Sequence, residues 1–546
     1  MSKAGTENKK REVRWEIFIP ALGLLFTAMI IGVVNNEWLR VTVRGIFAAS
    51  MDNFGWLFQL TVMAATILTA VALFTKVGNI RLGGRNAKPK YSFKAWFAMS
   101  LTAGIAVGIV NWGINEPIIM FGSVWGELAY TGITPHTREA AYFAMGTAFY
   151  HWTIVPYATY AICGLLSAYL YFNKKKELTI TGTLEPVLGE KIAGMRVTSA
   201  VVNVLCVLAI IMGMAGGLGT GINFVFQGLY LQYGVNITTT LWVVFGVLIV
   251  AGFTTSSFLG IDKGVKNLAQ INKYIFYVLV LIIAVLGPTR DMLNFMVEGI
   301  GSFSSNFFEW GFDPGTQRGE ALSHWWSLFN WAMWIAYAPI MGLFLARVAY
   351  GRTIRQFLIV NWVLPSIFGM VWFSVFGGAA LSWQMNGVVD IYTTIVNHGA
   401  VAGAWTFFQN LPFGLATIVI PIIMFVLIVS FVTAADSMTN TVASLCVKGA
   451  ELGEEPPAYQ KLLWGISIGG MAVILGAVGG GSRGIDGVRQ LAAVGGFLAT
   501  FVFALQIISF FKVFIMSKLT DNFDAIGDQY TEEELAELEH KSAFEQ

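Results

Sequence analysis

Charged side chains are scarce here. Asp, Glu, Lys and Arg make up 12% of the 546 residues, against roughly 25% in soluble domains. That scarcity excludes an ordinary soluble fold. Cysteine is also rare. Cys163, Cys206 and Cys446 lie in or beside apolar runs without ligand-like spacing, which excludes a disulfide framework and a cysteine metal site and leaves small core residues. The five histidines are scattered, and no HExxH, Walker or dinucleotide-binding pattern occurs. No enzyme machinery, metal site or cofactor is therefore expected. A formal net charge of only +2 gives no basic patch to suggest a nucleic-acid partner.

What the chain has is apolar length. Hydrophobic residues make up 56% of it, and long uncharged runs recur, each a candidate transmembrane helix. An all-α polytopic membrane protein follows. Twelve spans are expected, near Ile17–Val34, Gly55–Thr75, Ala95–Phe121, Ala141–Phe172, Val197–Gly228, Thr239–Leu259, Tyr274–Pro288, Ser327–Val348, Phe357–Leu381, Phe413–Val442, Leu463–Val478 and Leu491–Phe514. The first run has no small-residue cleavage site after it and is expected to stay as a helix. Lys and Arg cluster before span 1 and after spans 2, 4, 6, 8 and 12, all on one side. By the positive-inside rule both termini are cytoplasmic. Leu293–Asp313 and Val388–Leu411 are expected as helices along the opposite face. Beyond Lys518 the tail is acidic, and Thr531 with Glu534 marks a short helix start.

The stretch Ser323–Arg355 carries more large rings than a span needs. Trp and Tyr normally gather at membrane interfaces, yet Phe329, Trp331, Trp334 and Tyr337 lie well inside it. Phe329, Met333, Trp334 and Tyr337 fall at i, i+4, i+5 and i+8, a spacing expected to share one helix side. Trp152, Tyr157 and Tyr160 in span 4 follow a similar spacing. Rings without an acidic neighbour suit a quaternary ammonium, each contributing roughly 0.5–2 kcal/mol. Span 3 is dense in small residues around its middle (Gly104, Gly108, Gly113), as in helices that unwind at a transporter site. MGMAGGLGTG in span 5 and Gly495-Gly496 in span 12 are further candidate breaks, the former better explained by close packing.

Four motifs in order, WGINEP (Trp112–Pro117), GIDKG (Gly260–Gly264), FLARVAYGRTIRQF (Phe344–Phe357) and VTAADS (Val432–Ser437), resemble those of the betaine/carnitine/choline transporter family. The resemblance implies a LeuT-type fold with two inverted five-helix repeats, spans 3–7 and 8–12. The parts are then a tail (1–16), two extra helices and a basic loop (17–94), the first repeat (95–288), an interfacial region (289–323), the second repeat (324–516) and an acidic cytoplasmic tail (517–546). It also implies a multi-pass protein of the cell membrane, assembled as a homotrimer.

Carried over residue by residue, the family's aromatic box falls on Trp152, Tyr157, Tyr160 and Trp334, with Phe329 an aromatic beside it. Tyr337 and Met333 would line the release path. Met333 replaces a tryptophan, which points to a different or larger solute. Asn111 stands where a phenylalanine is found; its amide either bonds the solute or packs against the span backbone. The span-3 backbone at Ala103, Gly104, Ile105, Ala106 and Gly108 would receive a carboxylate. Sodium-coupled members place hydroxyl ligands in spans 5 and 10, where this chain has Ile210, Met214, Thr433 and Ala434. Met341 matches a methionine near a sodium site lost in sodium-independent members. Asn267 stands where such a member has a compensating arginine. Glu116 in WGINEP is expected to be structural rather than a proton relay.

The resemblance thus implies a secondary transporter of a small quaternary ammonium or betaine-type solute, by sodium-independent substrate:product exchange of carnitine/γ-butyrobetaine-like or betaine-like molecules. The alternative is a sodium- or proton-coupled symporter for glycine betaine or choline.

Overall fold

Helices account for most of the described residues in a computed structural model, which describes residues 12–104, 108–189, 191–192, 195–259, 262–448, 456–478 and 482–516. The acidic tail with its expected helix, Gly260 and Ile261 of GIDKG, and the side chain of Asn267 lie outside the described residues. The principal helices are α1 (Trp15–Val34), α2 (Asn36–Phe74), α3 (Phe93–Gly104), α4 (Gly108–Gly122), α5 (Arg138–Trp152), α6 (Ile154–Phe172), α7 (Arg196–Tyr233), α8 (Thr239–Leu259) and α9 (Asp262–Leu286). They continue with α10 (Thr289–Gly311), α11 (Phe329–Arg347), α12 (Leu364–Met385), α13 (Ile391–His398), α14 (Gly403–Gln409), α15 (Ala416–Leu445), α16 (Ala458–Val478) and α17 (Ser482–Phe510).

Among the described residues nine helices are long and apolar enough to cross a membrane. There are ten if the pair Tyr274–Leu286 and Thr289–Gly311, bent by 109°, is taken together. Of the other expected spans, span 3 is described as α3 and α4, on either side of residues 105–107, and span 6 as α8. Span 2 differs from expectation. It begins at Asn36, well before the expected Gly55, with the Asn35 side chain accepting from Trp38 N at 3.1 Å as its cap. Charges at Glu37, Arg40, Arg44 and Asp52 hide that first half from a hydropathy reading. The expected helix over Val388–Leu411 is instead two, α13 and α14, divided where Gly399 takes φ +95°.

Partners come in exchanged sets. α11 packs along α6 and α4 along α12; α17 packs on α7 and α9 on α15; α16 lies on α8. Such an exchange is the pattern expected of two inverted five-helix repeats. The candidate breaks at the span-5 and span-12 glycines are not breaks: α7 and α17 run through both. The glycines let backbones meet instead. A methyl on Gly496 would overlap the backbone of Ala332, one on Gly221 the ring of Phe431, and one on Gly213 would lie 3.1 Å from Tyr337.

FLARVAYGRTIRQF acts as a clamp. Arg355 donates to the carbonyls of Leu73 (3.1 Å) and Thr75 (2.9 Å), closing the end of α2. Arg352 donates to Tyr91 O at 2.6 Å and lies 4.6 Å over Trp96. Ile354 N donates to Ile80 O at 2.8 Å. Gly351, at φ +76°, abuts the backbone of Lys88 so closely that no side chain fits there.

Candidate functional site

Trp334 is the centre of the ring cluster. Tyr160 lies 4.8 Å from it, Tyr157 5.1 Å and Trp152 6.4 Å. Phe373 of α12 adds a fifth ring, 5.8 Å from Trp152. Tyr157, Tyr160 and Trp334 are buried and Trp152 half-buried. The helices bearing these rings approach closely where Gly342 meets Cys163 and Gly164 meets Leu345.

Helical spacing does not account for the box. Span 4 breaks at Thr153 (φ −125°, ψ −112°), between Trp152 and the two tyrosines. Pro156 is the local cause. It has no N–H to give the Trp152 carbonyl four residues back, so the ladder stops there. Trp362 Nε1 donates to the neighbouring Ile154 carbonyl at 2.7 Å. The Trp152 ring is oriented instead by a buried polar chain. Trp152 Nε1 donates to Glu116 Oε2 at 2.6 Å, Glu116 Oε1 lies 2.6 Å from His151 Nδ1, and His151 Nε2 lies 2.9 Å from Ser327 Oγ. Glu116 commits both oxygens to neighbours, the geometry of a positioning group.

Phe329 leaves the wall on which the spacing placed it. Five residues turn a helix by about 140° relative to Trp334, so Phe329 joins a second cluster. There Trp112 and Trp326 meet edge to face at 5.6 Å, and the Arg489 guanidinium carbon lies 4.6 Å from the Phe329 ring, 5.1 Å from Trp112 and 5.9 Å from Trp326. Met333 and Tyr337 are half-buried on α11; Met341 is buried. Tyr337 rests against Gly213 and Gly217 of α7. Trp331 turns away from the rings and donates to Gln59 Oε1 at 2.6 Å.

Asn111 is buried, its Oδ1 accepting from Asn115 Nδ2 at 2.6 Å, and its Nδ2 has no partner among the described residues. One half of the amide therefore packs within α4, and the other half is unused. Of the span-3 backbone segment, Ile105 and Ala106 and the side chains of Ala103 and Gly104 lie outside the described residues. Gly108 faces the site: a methyl there would lie 3.3 Å from Trp152 Cη2 and 3.5 Å from Trp112 Cδ1.

Ile210 and Met214 are buried in α7 and offer no side-chain oxygen. In α15, Thr433 and Ala434 are half-buried, and the Thr433 hydroxyl donates to Ser430 O at 3.0 Å. Sequence reasoning missed His151, Ser327, Phe373, Trp112, Trp326 and Arg489. A histidine beside a box tryptophan and an arginine at the start of an apolar run were visible signals, but pairing them required the fold.

Several known proteins are similar over almost this whole length. The ectoine/hydroxyectoine transporter of Virgibacillus pantothenticus is 30% identical, covering 91% of this chain and 96% of its own. The glycine betaine transporter OpuD of Bacillus subtilis (strain 168) is 30% identical over 88% and 90%, and a probable glycine betaine transporter of Desulfitobacterium hafniense (strain Y51) 32% over 87% and 92%. Among solved structures, a sodium-coupled sialic acid symporter in its substrate-bound outward-open state aligns with a TM-score of 0.41 at 16% identity, covering 85% of this chain and 86% of that one. The family described as betaine/carnitine/choline transporters matches residues 16–519. The chain belongs to the betaine/carnitine/choline transporter family.

Proposed function

We propose that this protein carries a small quaternary ammonium or betaine-type solute by sodium-independent exchange of substrate for product, with carnitine/γ-butyrobetaine-like or betaine-like molecules as the pair. The observation that carries the reading is Trp334 with Tyr160, Tyr157 and Trp152 within 6.4 Å of it. Ring faces attract a soft cation that has no N–H to donate, and more strongly as water is excluded. Glu116 fixes Trp152 without being available to the solute as a counter-ion. Tyr337 and Met333 line the release path. Sodium independence rests on Ile210, Met214 and Ala434, because a hard cation needs oxygen ligands and these side chains have none. Both termini are cytoplasmic in this reading, and three copies assemble in the cell membrane, each with its own box.

The test is uptake of labelled glycine betaine and carnitine into proteoliposomes, with and without a sodium gradient and with and without unlabelled solute inside. Uptake that ignores sodium and requires internal solute is expected. Sodium-driven uptake into empty vesicles would instead establish a coupled symporter, with Thr433 as its surviving oxygen.

A further inference from the structure

Two of the arginines that close the ring-rich stretch have partners, and the third does not. Arg352 and Arg355 donate to the carbonyls of Tyr91, Leu73 and Thr75. Arg347, in the last turn of α11, is half-buried, and its Nε is buried without a hydrogen-bond partner among the described residues. No hydrogen bond or ion pair engages the rest of its guanidinium there. A guanidinium drawn out of water without an anion is costly. An ionisable group kept inside a membrane protein therefore marks a functional position whose partner has to be named. The C-terminal end of a helix favours positive charge, yet Nε reaches none of its carbonyls.

The position of Arg347 indicates that partner. Along α11 every residue is buried except Met333, Tyr337, Phe344 and Arg347. These fall at i, i+4, i+11 and i+14, within about 80° of one helix face. Because α6, α17, α7 and α2 pack around α11, the less covered stripe lies within the bundle. Tyr337 rests against Gly213 and Gly217 of α7, while Trp334 meets Tyr157 and Tyr160 of α6. The stripe thus follows the seam between α6 and α7, from the level of the box to the end of the helix. At 1.5 Å per residue Arg347 stands roughly 20 Å along the axis from Trp334, too far for one small solute to touch both. Resting on the proposed solute class and release path, we propose that Arg347 is a second station at the cytoplasmic mouth of that path, where its fork takes the carboxylate of a zwitterionic solute. A positive charge there also disfavours quaternary ammonium ions that lack an acid, so this face selects zwitterions.

The test uses two solutes of one shape, γ-butyrobetaine and butyltrimethylammonium, which differ in the carboxylate. Counterflow of each is measured in right-side-out and inside-out membrane vesicles, with saturating solute on the far side. Wild type is compared with Arg347→Gln, Arg347→Lys and Trp334→Ala. From the cytoplasmic face, Arg347→Gln is expected to raise the half-saturating concentration of γ-butyrobetaine roughly 10- to 100-fold, the range for a hydrogen bond to a charged group. Butyltrimethylammonium should stay unchanged or improve there, and neither solute should change at the outer face. Arg347→Lys should fall between. Equal weakening of both solutes in Arg347→Gln would mean that Arg347 only braces α11, and no change in either that it touches no solute. A zwitterion-specific change at both faces would place its action at the box. A difference that vanishes in proteoliposomes without anionic lipid would give the guanidinium to a headgroup phosphate. Each of these outcomes overturns the assignment. Trp334→Ala should weaken both solutes at both faces; if it alters neither, the box reading fails, whatever Arg347→Gln does.

Discussion

At Trp152 one side chain links the proposed recognition box to a buried carboxyl group. Its indole N–H donates to Glu116, which also meets His151, itself 2.9 Å from Ser327. Leaving a buried hydrogen-bonding partner unsatisfied costs about 1–3 kcal/mol, so Glu116→Ala should lower the melting temperature in detergent and free the Trp152 ring. The check is thermal unfolding together with solute titration, and unchanged values in both would refute the positioning role. Trp334→Phe keeps an aromatic face while removing the larger ring, and should raise the KM for betaine-type solutes by about threefold to tenfold, as cation–π differences of about 1 kcal/mol imply. WGINEP, HW and the rings of span 8 mark these residues in the sequence. Their partners are not marked, because Glu116 and Ser327 lie on opposite sides of His151 in the chain and meet it only through packing.

Among the elements, the breaks and the glycines have separate causes. Span 4 breaks where Pro156 removes a ladder bond, and Pro156→Ala should let α5 continue into α6 and swing Trp152 out of the box. The expected outcome is a KM raised at least tenfold with thermal stability kept or increased. A parallel fall in stability would show that the break is needed for folding. Gly496→Ala would force a methyl into the backbone of Ala332, and Gly221→Ala would force one into the Phe431 ring, whereas Gly23 has nothing within 4 Å. Overpacking costs about 1–3 kcal/mol or more. The first two substitutions should therefore markedly lower the melting temperature and Gly23→Ala should not. Apolar run length makes most of these helices legible. It fails at α2, where charges interrupt the first half, and at α13 and α14, where one loop holds two short helices. Glycine-rich stretches are ambiguous in sequence because the same residue permits both a break and a close approach.

For the whole molecule, the expected topology can be tested directly. Single cysteines placed in the N-terminal tail and after spans 2, 4 and 8 should react with a membrane-impermeant reagent only after the membrane is opened, and those between spans 3 and 4 should react in intact cells. The native cysteines are buried and should stay silent. The reverse pattern would overturn the positive-inside orientation. Scarce charge, long apolar runs and the side on which Lys and Arg collect determined by themselves that this is a polytopic helical membrane protein, because transfer into lipid acts on composition and length. Ordered motifs were enough to point to the family. Only the tertiary structure decided which rings face one another, that Trp152 is aimed by Glu116 across a helix break, and that Phe329 belongs with Arg489. These depend on how helices distant in sequence cross, and neither the hydropathy nor the periodicity of one segment carries the position of another.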